Sequence, residues 1–130
     1  MTDTFHIPSC LRPIDMEGLG KLGEAGKAAP DTVKTLKSKT VLEGQFKNFN
    51  YIRDLDPIVV DEPPGLLGED TAPNPSEMAL LSLGSCLSVG VQANASNQGI
   101  PLTKLEVELE GDINITAVWG TAEYYCHRFH

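Results

Sequence analysis

Between Pro75 and Gln98 the apolar positions do not fall along one stripe of a helix. Met78, Leu80, Leu81, Leu83, Cys86, Leu87, Val89 and Val91 go most of the way round. A helix that is apolar on every side is expected to be buried on every side. Ser82, Gly84, Ser85, Ser88 and Gly90 are small, so another element can pack very close to it. Its start carries three signals. Asn74 can cap, Pro75 suits the first helical position, and Glu77 at the third can reach back to the capping residue's N–H. Gly99 supplies a left-handed stop. The spacing therefore predicts one helix from Pro75 to about Gln98. With Gln92 and Asn94 added to the small polar residues, the run reads as too polar for a membrane span.

Weaker patterns flank this element. Asp15 can cap a short helix with Met16, Leu19, Leu22 and Ala25 at roughly helical spacing, ending before Pro30. Gly18, Gly20, Gly23 and Gly26 weaken it, each by about 1 kcal/mol against Ala. Residues 1–31 are read as a peripheral extension. From Thr32 the texture turns to Thr, Val and Leu alternating with Lys and Ser, which predicts strand, with turn or bulge points at Gly44 and Lys47-Asn48. A second strand is expected through Phe49, Tyr51 and Arg53. Asp61 to Pro75 holds Pro63, Pro64, Gly65, Gly68 and Pro73, a rigid irregular loop. Leu105 to Glu110 alternates with period two, a half-exposed strand. Gly111-Asp112 then turns the chain, and Ile113, Ile115 and Ala117 begin another strand. The last ten residues gather Tyr, His and Cys and leave that strand pattern unfinished. Residues 121–130 are set apart as an atypical tail, expected of a truncated, frameshifted or fragmentary chain.

A length of 130 residues suits one domain with one core. A net charge of −8 supplies no basic footprint, so no nucleic-acid partner is expected. The lysines between Lys34 and Lys47 alternate with Thr, Ser and Leu and read as a solvated strand face. Met1 to Ser9 has no basic stretch followed by an apolar one, so no signal peptide is visible and no membrane partner is expected. Cys10, Cys86 and Cys126 form no CxxC pair, the usage of a reducing compartment, and the cytoplasm is the default.

Several stretches, taken in order, carry a resemblance. They are Asp61-Glu62-Pro63, Leu67 to Pro75, Ser76 to Cys86, Gly99-Ile100, and the strand ending Glu110-Gly111-Asp112. Together they resemble the OsmC/Ohr-like family over residues 32–120, its N-terminal half. The resemblance implies an α+β fold in which a curved antiparallel sheet wraps a long buried central helix. It also implies an intertwined homodimer with sites at the subunit interface. In catalytic members the cysteine at the position of Cys86 is peroxidatic. Its thiolate attacks an organic hydroperoxide, and a second cysteine resolves the sulfenic acid as a disulfide. Such chemistry needs a depressed thiol pKa, normally from a neighbouring Arg. Arg53 is the candidate here. The resemblance implies no cofactor, an external dithiol reductant, and a small organic hydroperoxide or apolar ligand.

Two positions depart from that pattern. The family's glutamate that holds the Arg follows the helix's first Pro directly, where this chain has Ser76. The acid stands one residue on, at Glu77, and one step moves a side chain about 100° round a helix. The resolving cysteine belongs to the C-terminal half, and Cys126 is too near Cys86 to match it. Each candidate also has a plainer reading. Cys86 is a small hydrophobe on an apolar helix, Glu77 is a capping residue, and Arg53 pairs with Asp54 or Asp56 at the surface. Cys126, His127 and His130 are ligand-capable but make a poor metal site on a chain terminus. Two functions compete: a thiol-dependent organic hydroperoxide reductase using Cys86, and a non-catalytic protein of the same fold that binds a small apolar or thiol-bearing ligand at the dimer interface.

Overall fold

The computed structural model describes residues 10–116 and Trp119. The chain forms helix α1 (Met16–Ala28), strands β1 (Lys39–Gly44), β2 (Lys47–Tyr51) and β3 (Ile58–Val60), and helix α2 (Pro75–Asn97). A short 3-10 turn, Pro64–Leu66, lies in the loop before α2.

Helix α1 begins where its cap predicts. The Asp15 carboxylate accepts from the Gly18 N–H at 3.0 Å, which satisfies one of the donors a helix start leaves open. Exposed pairs Glu17–Lys21 and Glu24–Lys27 follow the surface, and no side chain of α1 is buried.

The sheet is antiparallel with β2 in the middle. Val41 pairs with Phe49 and Lys39 with Tyr51, and a register shift near Gly44 accommodates the β1–β2 turn. Gln45 takes φ +50° in that turn. Thr40 Oγ1 donates to Asn50 Oδ1 at 2.6 Å, tying the two strands on one face. The expected strand from Thr32 starts only at Lys39; residues 32–38 join no strand ladder among the described residues. The second strand stops at Tyr51, two residues short of the expected Arg53. Arg53 sits at φ +50°, and the Leu55 N–H donates to the Ile52 carbonyl at 3.2 Å. This left-handed turn sends the chain back alongside β2 as β3, a strand of three residues that the sequence pattern had not shown.

Helix α2 matches its predicted bounds within a residue. Asn74 Oδ1 accepts from the Glu77 N–H at 2.8 Å, and Glu77 Oε1 accepts from the Asn74 N–H at 3.1 Å. Both halves of the capping box are therefore made. Gly99 closes the helix at φ +69°, and the Ile100 N–H returns to the Ala95 carbonyl at 2.9 Å.

Beyond Gly99 the chain runs back along α2. A Cβ on Gly84 would stand 3.5 Å from Leu109 Cδ1, and one on Gly111 would stand 3.3 Å from Leu80 Cδ2. The small residues of α2 thus admit a close neighbour, as their size implies. Leu105 to Glu110 lays its odd-numbered apolar residues toward α2, but it forms no ladder with any described residue. Among the described residues the expected strand is thus an unpaired segment: alternation sets which face turns inward, and a ladder further requires a neighbouring strand.

The expected burial of α2 on every side is also corrected. Leu81, Leu83, Leu87, Val89 and Val91 are 45–65% exposed, and only Ala95 of the helix is buried. The strands pack chiefly on one another. The segment after Gly99 lies over one stripe of α2 at Leu80 and Gly84, and Leu11, Ile14, Leu19 and Leu22 border the helix near Ser88, Val89 and Ala93. By length and composition alone α2 is long and apolar enough to cross a membrane, which the interrupting polar residues had argued against. Among the described residues the buried set is Val60, Ala95 and Asp61, of which Asp61 alone is fully buried.

Candidate functional site

Cys86 stands three turns into α2, exposed and with a free thiol. It borders a groove of about 480 Å³ with Leu87, Gly90, Val91, Asn94, Ile100 and Leu102. The Gly99 stop builds this groove, because it turns Ile100 and Leu102 back beside the helix's last turns. Gly90 lies one turn from Cys86 and offers no side chain, so the groove wall is low beside the thiol. The surface can hold an apolar group next to a sulfur.

The other two candidates lie elsewhere. Glu77 occupies the first turn of α2, roughly 13 Å from Cys86 along the axis at 1.5 Å per residue. Its carboxylate is engaged with the Asn74 N–H. Arg53 is exposed in the turn between β2 and β3 and forms no ion pair with any described residue. It does not line the Cys86 groove. Within one chain the three residues are thus not brought together. Asp54 and Asp56, the surface partners considered for Arg53, form no ion pair with it either. The second described cysteine, Cys10, is exposed and free. Cys126, His127 and His130 lie outside the described residues. Among the described residues no three His, Cys, Asp or Glu side chains come together as metal ligands would.

One polar cluster was not expected from the sequence. Asp61 is 1% exposed. Its Oδ2 accepts from Thr71 Oγ1 at 2.7 Å and from the Thr71 N–H at 3.1 Å, while Oδ1 accepts from the Glu62 N–H at 2.8 Å. The Asp61 N–H donates to the Pro73 carbonyl at 3.1 Å, and the Asp70 N–H to the Glu62 carbonyl at 3.0 Å. The hydrogen bond from the Thr71 hydroxyl, with backbone N–H donors, holds the Asp61 carboxyl below the usual carboxylate range, against the opposing effect of burial. Gly68 has no room for a side chain, since a Cβ there would overlap the Glu62 carbonyl. The signal that finds this cluster is an acid directly after the apolar Val59-Val60 pair. A carboxylate entering the interior at a strand's end needs donors, and Thr71 is the one hydroxyl residue between Glu62 and Pro75. The cluster delivers the chain from β3 to the cap of α2, and so sets where the Cys86 helix begins.

These features define an α+β chain built on one long, doubly capped helix that presents a cysteine to an apolar groove. Residues 68–127 match the family described as OsmC-like protein. Over that stretch the chain is similar to OsmC-like proteins. The matched stretch takes in all of α2 and the Cys86 groove, and it continues past residue 120 into the tail that the sequence pattern set apart. No curated protein matches the chain.

Proposed function

We propose that this chain is a thiol-dependent organic hydroperoxide reductase of the OsmC-like family, working as a cytoplasmic homodimer. The observation that carries the reading is the position of Cys86, a free thiol on an apolar groove inside the family-matched stretch. The Cys86 thiolate attacks the terminal oxygen of an organic hydroperoxide. The O–O bond breaks, the alcohol leaves with a proton from solvent, and Cys86 becomes a sulfenic acid. An external dithiol then returns it to the thiol, forming its own disulfide and water. Arg53 would stabilise the thiolate from the second copy or after assembly, with Glu77 as the nearest acid in sequence to the family's Arg-holding position. The test is intact and peptide mass spectrometry after one equivalent of cumene hydroperoxide. The reading expects one added oxygen on Cys86, formed faster than with hydrogen peroxide because an apolar groove favours an apolar substrate. An unmodified Cys86 beside an oxidised Cys10 or Cys126 would end it.

The second reading is a non-catalytic protein of the same family that holds a small apolar or thiol-bearing ligand at the dimer interface. It is favoured by the separation of Arg53 and Glu77 from Cys86 within the chain. Retained ligand binding in a Cys86→Ser variant, with no peroxide consumption by the unaltered protein, would select it.

A further inference from the structure

Helices α1 and α2 do not pack closely on each other; they border a shared groove of about 630 Å³. Leu11 and Ile14, which lead into α1, line it with Leu19 and Leu22 of that helix, and Val89 and Ala93 of α2 lie on its other side. Two polar side chains, Arg12 and Gln92, stand among these apolar ones. Among the described residues Arg12 forms no ion pair, and the half-buried Gln92 makes no side-chain hydrogen bond. The acids nearest Arg12 in sequence are engaged: Asp15 accepts from the Gly18 N–H, and Glu17 pairs with Lys21. The groove lies behind the Cys86 site, since Gln92 of the one and Gly90 of the other are about 200° apart round α2.

We infer that this groove binds a medium-chain carboxylate, one molecule per chain, with its head on Arg12 and Gln92 and its tail along the leucines. The site is separate from the Cys86 groove and does not depend on the hydroperoxide reading. A guanidinium meets a carboxylate with two parallel hydrogen bonds, and the Gln92 amide has donors free to add another. The volume suits a small ligand, for which apolar walls with a few convergent polar groups are the usual construction. Helix α1 rises roughly 9 Å from its first residue to Leu22, and Leu11 and Ile14 continue the apolar wall, so a tail of about ten carbons is covered. The occupant also answers a need of α1 itself. No side chain of that 13-residue helix is buried, and a glycine-rich helix of this length is marginal without tertiary contacts. A bound tail supplies them.

Calorimetric titration of the full chain with decanoate, below its micelle concentration and at physiological salt, tests this. One site per chain is expected. Hexanoate should bind at least tenfold more weakly, because each buried CH2 counts for roughly fourfold. Decanol, which has the tail without the charge, should also bind about tenfold more weakly. Arg12→Gln should bring decanoate down to the level of decanol and leave decanol unchanged, and that retained binding shows that the variant folds. Leu22→Gln, at a side chain 72% exposed, should weaken both ligands. Amide exchange over residues 16–28 should slow when decanoate is bound. Alkylation of Cys86 should leave binding intact; its loss would put the ligand in the Cys86 groove and overturn the inference. Unchanged decanoate affinity in Arg12→Gln would overturn it too, as would no binding to the unaltered protein, the outcome if a second copy fills the groove. A protein that binds decanoate in this way but leaves hydroperoxide untouched would end the reductase reading alone.

Discussion

Asp61 and Thr71, ten residues apart, close the loop that leads into α2, with the Asp61 carboxylate accepting from both the hydroxyl and the backbone N–H of Thr71. The aspartate is the most completely buried side chain among the described residues. It holds its place because its oxygens are supplied with donors as it leaves water.

A pH dependence follows. The folded Asp61 carboxyl lies below its ordinary value, so the unfolded chain binds a proton more readily than the folded one. The stabilisation is present above the unfolded value of about 4 and is lost as pH falls through the lower folded value. Acid titration followed by circular dichroism should show this loss. Asp61→Asn should flatten the profile below about pH 4 while leaving its shape at higher pH unchanged.

Gly68→Ala should disrupt the same loop from its other side. The new methyl would meet the Glu62 backbone carbonyl, which also accepts from Asp70. Backbone has to move, and a loss of roughly 1–3 kcal/mol is expected. Chemical denaturation measures it. An unchanged midpoint would mean that the loop relaxes freely.

Asn74→Ala removes the acceptor for the Glu77 N–H and with it half of the capping box. The expected cost is about 1 kcal/mol. Glu77→Gln keeps the geometry of the return hydrogen bond, so it should cost less than Asn74→Ala if Glu77 is a capping residue. A large fall in peroxide consumption in Glu77→Gln with unchanged stability would instead assign it a part in catalysis.

Arg53→Ala separates the two functional readings. If Arg53 reaches a Cys86 thiol in the assembled protein, its loss should slow oxidation of Cys86 by cumene hydroperoxide about tenfold. Stability should not change, because Arg53 forms no ion pair among the described residues. Equal rates in both proteins would remove Arg53 from the mechanism.

What could be read from the sequence was what is local. The bounds of α2 follow from residues 74–77 and Gly99, which act on their immediate neighbours. The Gly-rich start of α1 was legible through Asp15 for the same reason. The features that escaped depend on distant partners. Asp61 finds Thr71 across a loop, and β3 exists only because a turn returns it to β2. That turn is made at Arg53, a residue type that does not signal a left-handed backbone as Gly or Asn does. Alternation from Leu105 to Glu110 correctly told inside from outside, yet could not say what lay beside the segment. The helix wheel of α2 likewise showed how much surface needs covering and not what covers it. Of the candidate site, the family pattern pointed to Cys86 itself, but neither its exposure nor the groove beside it was legible. The separation of Arg53 and Glu77 within one chain was not, because it depends on where the β2–β3 turn falls.

The chain's single tryptophan offers a way to watch this molecule. The Trp119 ring lies 5.6 Å from that of Phe46, tilted by 48°, and Phe46 sits in the turn that joins β1 to β2. Indole emission therefore reports on the hairpin whose outer edge is open. Unfolding, or any event that lifts the chain near residue 119 from that turn, should shift the emission toward longer wavelength. Any association that covers this hairpin would alter the same signal without a label, and could be followed in real time at concentrations too low for sedimentation.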